Sequence, residues 1–140
     1  MTGILVDSNV ILDVITDIGP WAAWSSKSLA EASAKHQLIT NQIVFAEVSV
    51  AFVRIEEAEA VFAHLVFQRE SIPFEAAFLA GKAFREYRRR GGQRSSPLPD
   101  FFIGAHAAVA GYRLLTRDPA RFRTYFPKLD LISPDRPLSG

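Results

Sequence analysis

Three short apolar runs in this chain, Ile4-Leu5-Val6, Leu38-Ile39 and Leu114-Leu115, each stop on polar residues: Asp7, then Thr40-Asn41, then Thr116-Arg117-Asp118. A fourth apolar patch, Leu129-Asp130-Leu131-Ile132, follows near the C-terminus. Runs this short, with no alternation of polar and apolar residues, read as strands buried on both faces. Between them the hydrophobic period is helical, over 21–36, 43 to about 69, 75–90, 99–110 and 119–126. Strands that alternate with helices build an α/β sandwich, a parallel sheet with helices on both faces. The sites of such sheets lie at the carboxyl ends of the strands.

With 140 residues, 49% of them hydrophobic and 22% charged, the chain has the balance of one globular domain. We expect a single domain over 1–132 and a frayed tail over 133–140, where Pro134 and Pro137 break regular structure. There is no cysteine, which excludes disulfides, thiolate metal sites and cysteine nucleophiles. Any metal must therefore sit on oxygen or imidazole. No apolar run approaches the ~20 residues of a membrane span, and the N-terminus lacks a basic leader, so the expected location is the cytoplasm, with no membrane. Twelve arginines stand against four lysines at a net charge of +1. The planar guanidinium suits phosphate, although GC-rich coding would enrich arginine as well.

Four carboxylates sit where a carboxylate is expensive. Asp7 closes the first strand, where it is desolvated unless it caps a following helix. Glu47 is the sole ionisable group in Ile43–Val53. A helix apolar nearly all round is a buried helix, so Glu47 needs a cation unless it lies on an exposed edge; Arg54, two turns on, reaches it only by folding back. Asp100 opens Pro99-Asp100-Phe101-Phe102-Ile103-Gly104-Ala105-His106-Ala107, in which positions 100, 104, 107, 108 and 111 share a face of small residues suited to packing on a sheet. Asp118 precedes Pro119 and reads as an N-cap. Each has an ordinary structural explanation alone. Parallel strands, however, deliver Asp7 and Asp118 to one edge, and helices that start at that edge bring Glu47 and Asp100 beside them. Carboxylates converging in a half-buried cleft repel one another, and Mg²⁺ or Mn²⁺, which bind oxygen, resolve that repulsion. Such clusters serve phosphodiester hydrolysis.

On these residues the sequence resembles the PIN-domain nucleases, and among them the VapC-type toxins of bacterial toxin–antitoxin pairs. The matching pieces are Ile4-Leu5-Val6-Asp7-Ser8-Asn9, Phe45-Ala46-Glu47-Val48, Pro99 to Ala107, and Leu115-Thr116-Arg117-Asp118 followed by Phe122. No piece is specific alone, but their order and spacing cover nearly the whole chain. The resemblance implies a PIN-like three-layer sandwich with a five-stranded parallel sheet, and a metal-dependent endoribonuclease acting on single-stranded RNA. It implies Mg²⁺ or Mn²⁺ held by Asp7, Glu47, Asp100 and Asp118, with Ser8, Asn9 and Thr116 supporting ligands and water. It further implies a homodimer and a cognate antitoxin. Ser8 departs from the usual threonine but keeps the hydroxyl.

Arg85, Arg88, Arg89, Arg90 and Arg94 crowd the approach to Asp100. They guide RNA, with Tyr87 free to stack, or merely complement the end of a helix. Of eleven phenylalanines most are core, with an exposed subset among Phe62, Phe67, Phe74, Phe78 and Phe84 available to a dimer or antitoxin surface, as are Trp21 and Trp24. His36, His64 and His106 are dispersed and form no ligand set. Two other readings remain: a receiver-like phosphoacceptor domain, which needs a lysine at a late strand end where the chain offers only Lys128, and a non-catalytic α/β binding module. A dehalogenase-type phosphatase would want an aspartate where Asn9 stands.

Overall fold

A computed structural model of the chain describes residues 3–138. Five parallel strands, β1 (Ile4–Val6), β2 (Leu38–Thr40), β3 (Gln68–Arg69), β4 (Arg113–Leu115) and β5 (Leu131–Ile132), form one sheet in the order β3-β2-β1-β4-β5. The register pairs Leu5 with Ile39 on one side and with Leu114 on the other, while Thr40 meets Arg69 and Leu115 meets Ile132. Every residue of β1 is fully buried, which is why that strand reads as an unbroken apolar run. The chain steps from β1 outward to β2 and β3, then crosses to β4 and β5 on the other side of β1. With right-handed crossovers, that reversal puts helices on both faces and opens a crevice between the carboxyl ends of β1 and β4.

Among the described residues seven helices cover the sheet: α1 (Ser8–Thr16), α2 (Ala22–Lys35), α3 (Gln42–Ser49), α4 (Ile55–His64), α5 (Phe74–Arg89), α6 (Pro99–Ala110) and α7 (Ala120–Tyr125). Helix α1 is not apparent from the pattern, because Ser8-Asn9-Val10-Ile11-Leu12-Asp13-Val14-Ile15-Thr16 is rich in β-branched residues and resembles a continued strand. Asp7 caps it by accepting from the Ser8 amide, and Asp17 ends it in the left-handed region at φ 54°. The stretch expected as one helix from 43 to about 69 is two helices and a strand. The Ser49 hydroxyl turns back onto the Phe45 carbonyl, the chain unwinds through 50–54, and α4 restarts where the Arg54 amide donates to Glu57. Strand β3 is two exposed polar residues at the sheet edge, so it left no apolar signal.

The small face of α6 packs against α7 rather than on the sheet alone: a Cβ at Gly104 would lie 2.6 Å from the Phe126 ring. Ala108 and Gly111, at the far end of that face, are exposed. The segment expected to fray is held through 138. Ser133 is buried and exchanges backbone hydrogen bonds with Arg136, Asp135 pairs with Arg123, and Leu138 packs on the core. Residues 139 and 140 lie outside the described residues. Among the described residues no helix is long and apolar enough to cross a membrane.

Candidate active site

Asp7 and Thr116 end neighbouring strands, and the ladder continues between them: the Asp7 amide donates to the Leu115 carbonyl at 2.9 Å. The Thr116 hydroxyl donates to Asp7 Oδ2 at 2.8 Å while accepting from the Asp118 amide at 3.1 Å and, more weakly, from Asn9 Nδ2 at 3.4 Å. Its single proton is therefore committed to Asp7. Asp7 Oδ1 accepts from the Ser8 amide, and the Ser8 hydroxyl donates to Glu47 Oε1 at 2.7 Å. Two adjacent residues at one helix start thus tie the carboxylates of α1 and α3 together.

Asp7 is only 4% exposed, and among the described residues no cation is paired with it. Burial, augmented by the charges of Asp100 and Glu47 and opposed by the Thr116 and Ser8 hydrogen bonds, pushes its carboxyl up to about 7. Glu47 is raised by burial, against the Ser8 hydrogen bond, and also by the charge of Asp100. Asp100 is raised by burial and by Asp118, with Arg121 opposing. Each carboxylate is thus linked by repulsion to at least one other of the set. Asp118 is exposed, and it shares with Asp100, Tyr87 and Arg121 a hollow of about 430 Å³. It does not cap α7 by hydrogen bond; Pro119 occupies the cap position.

Some expectations about these residues fail. Helix α3 is not apolar all round in its surroundings: Val44 and Val48 face the core, while Glu47 is half-buried on the crevice side. Arg54 turns to Glu56 instead of Glu47. Among the described residues no three acidic or histidine side chains stand close enough, as placed, to clasp one ion together. The donor set still suits a hard divalent cation, because Mg²⁺ is commonly held by one or two carboxylates and keeps several waters. A buried carboxylate without a cation, facing two more, supplies that kind of partial shell.

Arg121, which the sequence gave no reason to select, lies 3.2 Å from Asp100 Oδ2. Asp13 was missed as well. Buried at the second turn of α1, it accepts from the Ser25 hydroxyl and from Arg117 Nε, both at 2.7 Å, and so pins the residue that follows Thr116. Its signal was an acidic residue inside an otherwise apolar helix. His106, assigned no role, is fully buried. Because Asn41 Oδ1 accepts from the Val44 amide, its Nδ2 donates to His106 Nδ1 at 2.9 Å, which leaves the imidazole proton on Nε2, 3.5 Å from Glu70.

The arginine cluster is partly engaged. Arg89 and Arg90 pair with Glu86, and Arg88 donates to the Arg94 carbonyl, all at exposed positions. Arg85 and Arg94 are exposed. Tyr87 is half-buried: it packs among Phe84, Phe101 and Tyr125, a Cβ at Gly92 would strike its ring, and it also lines the hollow beside Asp100. Lys128 precedes β5 and so lies toward the strand's amino end, away from the carboxylates, which removes the receiver-like geometry.

Several solved structures share this fold. VapBC2 from Rickettsia felis, bound to a DNA fragment from its promoter, aligns at TM-score 0.70 and 16% identity over 93% of this chain and 97% of that one. A toxin–antitoxin complex from Klebsiella pneumoniae aligns at 0.69 and 21% over 94% and 98%. FitAcB from Neisseria gonorrhoeae aligns at 0.61 and 18% over 92% and 96%. No curated protein matches the chain significantly by sequence. The family model of the PIN domain matches residues 4–126, a span that contains every carboxylate of the crevice, and the chain belongs to the PIN-domain family.

Proposed function

We propose that this chain is a metal-dependent endoribonuclease that cuts single-stranded RNA in the cytoplasm, acting as the toxin of a toxin–antitoxin pair. The observation that carries the reading is Asp7: a carboxylate 4% exposed, at the switch point of a parallel sheet, raised by burial and by the charges of Asp100 and Glu47. Asp7, Glu47 and Asp100 would hold Mg²⁺ or Mn²⁺, with Asp118 completing the acidic hollow from its rim. A divalent ion so bound lowers the pKa of a water and offsets charge on the phosphate. The protein's own part is to fix these carboxylates, through Thr116 and Ser8, and to keep Asn9 beside Thr116.

The neighbours' assembly with antitoxins supports an antitoxin partner here. Phe74 and Phe78, one turn apart on α5 and 91% and 67% exposed, offer an apolar surface for a homodimer. Incubating the full chain with unpaired RNA and Mg²⁺ or Mn²⁺ tests the activity. Cutting that stops on chelation and in Asp100→Asn is expected; metal-independent cutting, or none, rejects the reading. The exposed arginines are read as an RNA guide. Replacing Arg88, Arg89 and Arg90 together by Ala should weaken RNA binding and flatten its salt dependence by roughly one to three counter-ions, read as the slope of log K against log salt. An unchanged slope assigns them to the helix end alone.

A further inference from the structure

Next to the crevice, at the carboxyl ends of β2 and β3, lies a second cavity of about 250 Å³ lined by Thr40, Asn41, Gln42, Phe45, Arg69, Glu70 and Ser71. Its size suits a single flat ring system better than the drug-sized molecules that fill cavities of ~300–1,000 Å³. Thr40 is 2% exposed, and its hydroxyl has no hydrogen-bond partner among the described residues. A buried hydroxyl left unsatisfied costs about 1–3 kcal/mol, so this position is built for a partner that the fold itself does not supply.

The rest of the wall is prepared in the same sense. The Tyr112 hydroxyl and, at 3.2 Å, Gln68 Nε2 both donate to Glu70 Oε2, and His106 Nε2 faces Oε1 at 3.5 Å. Burial and the Glu70 bond together push the Tyr112 phenol up to about 12, so it stays protonated and remains a donor. Glu70 is thereby held in one orientation, with acceptor capacity left over on Oε1 for a further donor. Also lining the cavity, the Arg69 guanidinium lies 4.9 Å from the centre of the Phe45 ring while pairing with Glu59 at the surface. This makes a flat, positively charged platform of the kind on which unpaired bases stack.

Two strand spacings, roughly 10 Å, separate the end of β1 from the end of β3. That is a distance a few nucleotides of unpaired strand bridge from the scissile phosphate. The geometry points to a base-recognition subsite: the cavity takes one nucleobase flanking the cut, stacked on Arg69 and presenting an exocyclic amino group to Glu70 with Thr40 bonding its neighbouring edge. Adenine, cytosine and guanine carry that amino group and uracil does not. The subsite rests on the reading of the chain as a ribonuclease, and it supplies that reading with a substrate preference.

The test has two arms. In the first, a random single-stranded RNA pool is cut with Mn²⁺ by the full chain and by Thr40→Val and Glu70→Gln, and the new ends are sequenced. Wild type should disfavour uracil on the order of tenfold at one position near the cut, and both variants should bring that ratio toward parity at that position alone. No such position, or a ratio unchanged in both variants, overturns the subsite while leaving the nuclease reading standing. A pool left uncut counts against the nuclease reading instead. In the second arm the metal-free wild type is titrated with AMP, CMP, GMP and UMP, following amide resonances by NMR. Shifts at Thr40, Gln42, Glu70 and Ser71 with the first three, and weaker ones with UMP, support the cavity's role. No shifts, or equal shifts with UMP, overturn it whether or not RNA is cut.

Discussion

Asp7→Asn should abolish RNA cutting and, in the same protein, raise the stability of the metal-free fold above neutral pH. The two effects have one cause. Burial pushes the Asp7 carboxyl up to about 7 in the folded chain, from an ordinary value of 3.8. The folded state therefore prefers the protonated form. Its contribution to stability is fully present below pH ~4 and is lost as pH rises through about 7, by up to ~4 kcal/mol if the whole shift is realised. Glu47 and Asp100 are raised too, so they add to the decline. Asparagine stays neutral at every pH and keeps the shape. Allowing for the hydrogen bonds that the amide makes less well, a gain of about 1–3 kcal/mol at pH 8 is expected. Loss of a metal-holding carboxylate should cost cutting more than about a hundredfold. Melting temperature measured from pH 4 to 9 without metal checks the first effect: wild type should fall between about pH 4 and 7 relative to the variant and then level off. Added Mg²⁺ should restore wild type alone, and more at pH 8 than at pH 6, because below about 7 the ion must displace a proton. Parallel curves for the two proteins would reject the assignment of Asp7 as a strained, uncompensated charge.

Asp13→Ala is expected to damage the protein from outside the acidic crevice. Removing this carboxylate unpairs Arg117 Nε and the Ser25 hydroxyl together, and those bonds join α1, α2 and the end of β4. Breaking a fully buried pair costs ~3–5 kcal/mol, but the Arg117 side chain is 31% exposed and can turn to water, so about 2–3 kcal/mol is expected here. Thr116 immediately precedes Arg117. Loosening that junction should blur the hydroxyl that orients Asp7 and lower kcat about tenfold, with KM little changed. Denaturant unfolding and steady-state cutting measured on one preparation separate the two effects. Stability lost with kcat intact would make Asp13 a tether of the fold only.

How far the sequence could be read depended on what each signal was made of. Strands buried on both faces announce themselves as apolar runs, and so β1, β2, β4 and β5 were visible. The two polar residues of β3 were not, because an edge pairing is decided by the neighbouring strand. Helix α5 shows its period over 16 residues. Helix α1 does not, since a nine-residue run rich in branched side chains is helical only through its cap and its packing. Glu47 was legible as an unpaired charge in an apolar run, but its hydrogen bond to Ser8 spans 39 residues and follows from the way α3 docks on α1. Arg121 against Asp100 and Glu70 against Tyr112 and His106 are meetings of this second kind, each an ordinary polar residue until the chain is folded.

The order of apolar runs and the acids that end them were enough, unaided, to dictate a parallel α/β sandwich with negative charge gathered at one edge. The reason is local: burial on both faces and capping chemistry act within a few residues. Which strands neighbour which, where the order reverses beside β1, and which carboxylate is buried at the crevice facing two others were decided only by tertiary packing. Desolvation and repulsion depend on distance through space, and distance along the chain does not set them.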